Sequence, residues 1–84
     1  MTEKSIGKVE HYYGNISVAS LKIKDELCTG DRIHIQGHTT DFFETVDSME
    51  IEHHMVSEAH PGEPVAIKVP AKVRAHDEVY LVSA

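Results

Sequence analysis

Val65-Ala66-Ile67-Lys68-Val69 sets three β-branched apolar residues two apart, with Ala66 and Lys68 between them. A period of two sends alternate side chains to opposite faces of an extended chain, so this run reads as a strand with one buried and one wet face. The alternation recurs where Ile33 and Ile35 are separated by His34 and followed by Gln36. It recurs again where Met49 and Ile51 alternate with Glu50 and Glu52. Further strands are expected at 8–13, 16–24, 42–45 and 78–82. Turn signals divide the runs: Gly14-Asn15, Thr29-Gly30-Asp31, residues 37–41, Pro61-Gly62, and residues 69–77 with Pro70 as a breaker. No helix of three turns is required anywhere. Within 16–24 the apolar set moves from Ile16 and Val18 to Ala19, Leu21 and Ile23, which predicts a bulge or bend in that strand. Six or so short strands with no helix to cover an edge favour closure into a small barrel over an open sheet, and a barrel ranks above a sandwich. The expected fold class is all-β, a small closed barrel of six to seven strands.

Eighty-four residues suffice for one core, so residues 1–84 are expected to form a single domain with 1–5 as a frayed N-terminus. Hydrophobic residues make up 40% and charged residues 26%, too apolar for a solvated tail. No run approaches the ~20 apolar residues of a membrane span, and the opening MTEKSIGK has no apolar signal segment. The expected location is the cytoplasm, without membrane contact. Cys28 is the single cysteine, which excludes an internal disulfide and four-thiolate metal sites.

The net charge of −6 opposes indiscriminate attraction to a phosphate backbone. The charge is uneven: residues 31–63 hold one Arg against eight acids. Local phosphate contacts from Lys68, Lys72 and Arg74 require those side chains to share a face. Seven histidines raise the idea of a metal site, but His34 and His38 stand about 13 Å apart along a strand, and the adjacent His53 and His54 point oppositely. No metal or other cofactor is expected. Cys28 lacks a helix N-terminus to activate it, no serine lies in a nucleophile elbow, and Glu50 with Glu52 reads more simply as an acidic outer face than as an acid–base pair. Enzymatic activity is not expected of this chain. Each aromatic pair, Tyr12-Tyr13 and Phe42-Phe43, should put one ring inside and one outside.

Taken in order, Ile6-Gly7-Lys8-Val9-Glu10, LCTGDRI at 27–33, Gly37-His38-Thr39-Thr40, VDSMEIE at 46–52 and Ala59 to Ile67 resemble the second domain of translational GTPases such as elongation factor Tu. That domain is a six-stranded Greek-key barrel. Closer still are small translation elongation factor-like proteins and the C-terminal barrel of a collagenase-like peptidase family. No glycine has a second one five residues on, so there is no phosphate-binding loop and the chain is no GTPase by itself.

The resemblance implies a non-catalytic binding module linked to translation, contacting a tRNA 3′ end or the ribosome. By position, Glu50 would flank the terminal adenine, with Gly62 and Glu63 at the rim. Pro64 departs from the pattern by replacing a hydrogen-bonding asparagine. His38, Thr40 and Phe42 are the remaining binding candidates, beside the basic Lys68, Lys72 and Arg74. The peptidase resemblance implies a different role: a protein-interaction accessory barrel of a peptidase-like or RNA-modifying enzyme, whose partner supplies the missing catalytic or GTPase part. A histidine-built metal-binding barrel ranks last.

Overall fold

The computed structural model describes residues 2–83. All regular elements are strands: β1 (Thr2–Tyr13), β2 (Val18–Ile23), β3 (Leu27–Cys28), β4 (Arg32–Gln36), β5 (Asp41–Thr45), β6 (Met49–Ile51), β7 (His54–Val56), β8 (Glu58–Ala59), β9 (Pro64–Lys68) and β10 (Glu78–Ser83). Eight of them form one antiparallel sheet in the order β5-β4-β10-β1-β2-β9-β6-β7, and β3 pairs with β8 as a separate ribbon. No helix among the described residues is long and apolar enough to cross a membrane.

One side of this sheet carries a single core. Ile6 and Val9 of β1, Leu21 and Ile23 of β2, Ile33 and Ile35 of β4, Met49 of β6, Val65 and Ile67 of β9 and Val79 of β10 are all buried in one cluster. A sheet whose strands all send their inner residues into one interior must curl around it, and the Leu27 and Ala59 side chains of the ribbon are buried in the same cluster. The end strands β5 and β7 are not joined by a ladder among the described residues. The observed class is therefore all-β and antiparallel, with ten strands where the sequence reading expected six or seven. The additional elements, β3, β7 and β8, are two or three residues long, too short for an alternation to register.

The expected bulge in 16–24 lies elsewhere. β2 pairs with β9 in unbroken register from Val18–Lys68 to Lys22–Pro64, because Ile16 falls in the turn before the strand. The irregularities sit in β1, between Ser5 and Gly7 against β10 and between Val9 and His11 against β2. Two interruptions let one twelve-residue strand bend around the core while pairing on both edges. Gly7 lies at this bend: a Cβ there would overlap the Lys22 carbonyl oxygen and stand 2.8 Å from the Ile23 Cα. β1 also begins earlier than expected. Thr2 to Ser5, placed in a frayed end by sequence, pair with Ser83 to Tyr80, while Met1 lies outside the described residues.

Two turns follow their chemistry. Gly30 has φ +91° and Gly62 φ +89°, with Asp31 N–H donating to the Cys28 carbonyl at 3.1 Å and Glu63 N–H to the His60 carbonyl at 3.1 Å. Both are tight turns with the left-handed residue supplied by glycine.

Candidate functional site

Pairing places Ser20 of β2 opposite Ala66 of β9, and Ala66 opposite Glu50 of β6. These residues alternate with the buried Leu21, Ile67 and Met49, so they form a row on the outer face. Two adjacent small side chains leave a depression there. It is a groove of roughly 400 Å³ with Ser20 and Ala66 as its floor, Val18 and Lys68 at one end and Pro64 at the other. Two hairpins wall it. The β1–β2 hairpin contributes Tyr13 at the end of β1 and Ile16 in its turn, both well exposed, and the β6–β7 turn contributes Glu52 and His53.

The walls are held in costly backbone conformations. Glu52 and His53, the two-residue loop between the paired Ile51 and His54, have φ +51° and +66°. Such loops favour left-handed residues at both positions and normally recruit Asn-Gly. Ser17, between Ile16 and Val18, has φ +55°. Three of the four non-glycine residues with positive φ among those described thus flank one groove, the other being His76. Each left-handed residue costs about 1–2 kcal/mol, and such strain concentrates where a site must be shaped.

Of the residues singled out by sequence, the structure brings Glu50 and Lys68 to this groove, with Pro64 beside them. Gly62 and Glu63 lie in the turn before β9. Glu63 is engaged locally, its Oε1 accepting the His60 N–H at 2.6 Å, and Gly62 N–H donates to the Ile23 carbonyl at 3.2 Å. Lys72 and Arg74 are exposed in the loop after β9 and do not line the groove with Lys68. His38 and Thr40 belong to the β4–β5 turn, where the Thr40 carbonyl accepts the Gly37 N–H and Thr40 is buried. Phe42 is the inward member of its pair and packs against the core; Phe43 faces out. The expected stacking platform on this strand is therefore Phe43, at the opposite end of the sheet order from Glu50. Ile16 and Ser20 were missed, and Tyr13, Glu52 and His53, weighed by sequence only as a stacking ring, an acid–base partner and a metal ligand, meet in this groove instead. The groove's floor, the small Ser20 and Ala66 at outward strand positions, becomes readable only once the register of β2, β9 and β6 is known.

A second polar constellation lies on the outer face of β4 and β5. His34 is buried there, stacked on Phe43 at 4.2 Å between ring centroids. Its Nδ1 is 2.7 Å from Glu3 Oε1 and its Nε2 2.5 Å from Asp41 Oδ1. Burial disfavours the charged ring, but the hydrogen bonds to the two carboxylates outweigh it and the pKa rises. The carboxylates sit on opposite ring nitrogens and so do not converge on one point. No group of three His, Cys, Asp or Glu side chains arranged to hold one metal ion occurs among the described residues.

Cys28 is half-buried; burial, then the Asp31, Glu58 and Glu26 carboxylates, push its thiol pKa up, the reverse of nucleophile activation. Nothing in the groove pairs a nucleophile with a base. The arrangement is suited to holding a ligand by shape, with carboxylates on one wall and an ammonium at one end.

No family model matches the chain. It is 42% identical over 78 residues to an uncharacterised protease of Methanocaldococcus jannaschii, covering 92% of this chain and 19% of that protein. It is 35% identical over 77 residues to a collagenase of Porphyromonas gingivalis, covering 89% of this chain and 21% of the relative. The chain thus spans about one fifth of the length of the curated relatives it matches. Among solved structures, the C-terminal domain of a Geobacillus thermoleovorans protein named as a U32 peptidase superposes with a TM-score of 0.87 at 18% identity, covering 93% of this chain and 91% of that domain. Its selenomethionine variant gives 0.86 at 19% identity, covering 90% and 96%. The likeness to these structures establishes the fold. The relatives carry the peptidase half of the resemblance read from sequence and lend nothing to the translation-factor half.

Proposed function

We propose that this chain is a non-catalytic binding domain with a barrel-like fold, an accessory unit that works with a protease-like catalytic partner. In this reading the groove between the two strained hairpins holds an extended segment of a protein substrate. The observation that carries it is the groove itself, a small-residue floor kept open by three non-glycine left-handed residues at its walls. The similarity to one fifth of a protease and of a collagenase supports the accessory role, since most of each relative lies outside the match. Tyr13, Ile16 and Val18 offer apolar contact to peptide side chains, and Glu50 and Glu52 favour a neutral or basic segment.

A second reading, a tRNA 3′-end pocket, draws on Glu50 and Lys68 lying in the same groove. The two acids against one Lys and the net charge of −6 weigh against a polyanion. Amide NMR titration with a collagen-derived single-chain peptide, and separately with a short CCA-ended RNA, separates them. The expected result is peptide-dependent shifts at Val18, Ser20, Glu50 and Ala66, abolished by Ala66→Leu, which fills the floor from the outer face. Shifts at those residues with RNA alone, weakening steeply with salt, would replace the peptide reading. An absence of shifts with either ligand at millimolar concentration would remove the groove from the function.

A further inference from the structure

β5 ends the sheet, so one row of its backbone N–H and C=O groups has no ladder partner among the described residues. It is five residues long, pairs with β4 in continuous register from Gln36–Asp41 to Arg32–Thr45, and contains no Pro, Lys or bulge. Exposed edges are normally blunted by such devices. The devices here are two charges: Asp41, turned outward and engaged by His34, and one that points inward. Glu44 pairs with the fully buried Ile33 and therefore points to the core face of the sheet.

Glu44 is poorly accommodated. Its Oε1 is buried and has no hydrogen-bond partner, the only such side-chain atom among the described residues. Burial, and secondarily the neighbouring Asp47 carboxylate, push its pKa up to about 7. A carboxylate aimed inward at an open edge rejects an apolar strand and accepts one that brings a donor. It also disfavours a second copy of this chain. Antiparallel self-pairing centred on Phe43 would set each Glu44 opposite a Phe42 and place the two Glu44 carboxylates diagonally across the junction. On the outer face Phe43 remains 39% exposed, stacked on the His34 ring and with the Arg32 guanidinium carbon 5.4 Å from its centroid. It forms an aromatic surface beside the edge.

We propose that β5 is a strand-addition site: an extended segment of a partner polypeptide pairs antiparallel with Asp41–Thr45, placing a Lys or Arg side chain opposite Glu44 and an apolar one opposite Phe42. Backbone ladder bonds supply affinity and the Glu44 pair supplies selection. The residue between those two positions faces outward and packs on Phe43. This site is separate from the groove, which lies across β2, β9 and β6.

The test uses the full 84-residue chain and a blocked pentapeptide, Thr-Lys-Tyr-Val-Thr, against the same peptide with norleucine for Lys. Binding is followed by amide shifts and by the carbon resonance of the Glu44 carboxyl. The lysine peptide is expected to perturb the amides of Asp41–Thr45, to lower the Glu44 pKa, and to bind about tenfold more tightly than the norleucine peptide, as a charge-assisted hydrogen bond requires. Glu44→Gln is expected to shrink that preference. The peptide comparison needs no change to the protein, so a misfolded variant does not blunt it. Equal binding of the two peptides, shifts confined to the groove, no shifts at millimolar peptide, or dimerisation through β5 without peptide would each overturn the proposal.

Discussion

The imidazole of His34 lies flat on the phenyl ring of Phe43, with centroids 4.2 Å apart and planes within 12°. Phe43 is the direct cross-strand partner of His34, so the stack is set by the register of β4 and β5. The ring's two nitrogens face two carboxylates, and a neutral imidazole has only one N–H to donate. Only the imidazolium satisfies both. Glu3 belongs to β1, His34 to β4 and Asp41 to β5, so one proton ties three strands together.

That arrangement sets the sign of a pH effect. The folded-state pKa of His34 lies above its ordinary value, so the protonated ring's contribution is fully present below about pH 6.5 and is lost as pH rises through the higher folded value. Urea unfolding of the wild-type chain between pH 5.5 and 9 should show stability falling with pH. Asp41→Asn should cost about 1–3 kcal/mol at pH 6 and less at pH 9. A pH-independent cost for that variant would sink the imidazolium bridge.

Glu44 acts in the same direction by a different route. Its pKa near 7 exceeds the ordinary carboxylate value of 4.5, so the native state binds a proton that the unfolded chain releases, and stability falls as pH rises from about 4.5 through 7. Glu44→Leu should raise stability by about 1–3 kcal/mol at pH 8 and change it little at pH 4. Comparing its pH profile with that of Asp41→Asn assigns each part of the wild-type slope. An equal gain at both pH values would mean the carboxyl is not the source.

Gly7 tests the bend in β1. A methyl group there meets backbone on β2, where no side chain can swing aside. Gly7→Ala should destabilise by about 2–4 kcal/mol, read from the urea midpoint at an unchanged slope. A cost below about 0.5 kcal/mol would show that β1 and β2 do not cross this closely at Gly7.

The groove wall carries removable strain. His53 at φ +66° is followed directly by β7, and glycine adopts that conformation without a Cβ penalty. His53→Gly should stabilise the chain by about 1 kcal/mol. It should also weaken peptide shifts at Ser20 and Ala66 if the His53 side chain walls the ligand. Stabilisation with undiminished binding would leave the strain without a role in the groove.

The strands with a buried and a wet face were legible from residues alone, because a period of two in β-branched side chains has one structural meaning. Val65 and Ile67, Ile33 and Ile35, and Met49 with Ile51 were all identified this way, as were the turns at Gly30 and Gly62. The elements that escaped are those whose cause is not local. Leu27–Cys28 and Glu58–Ala59 are strands only because each pairs with the other across thirty residues, and His54–Val56 only because the loop at 52 and 53 reverses tightly. The reading of Phe42 and Phe43 divided the pair correctly into one inside and one outside, but which was which depended on the β4–β5 register.

The candidate site divides along the same line. Glu50 was named by the family resemblance, and the alternation only put it on the outer face between two apolar residues, as it put Lys68 on the wet face of its own strand. The sequence by itself determined an all-β chain with an acidic middle, lacking the nucleophile, phosphate-loop and disulfide signatures that would have announced a chemistry. Tertiary structure alone decided that Ser20, Ala66 and Glu50 form one row, that Lys68 lines the groove while Lys72 and Arg74 do not, and that Glu44 faces inward at an unpaired edge. Alternation specifies the face a side chain takes but not the neighbour it meets. Neighbours are set by pairings between distant segments, and those depend on how all the strands share one core.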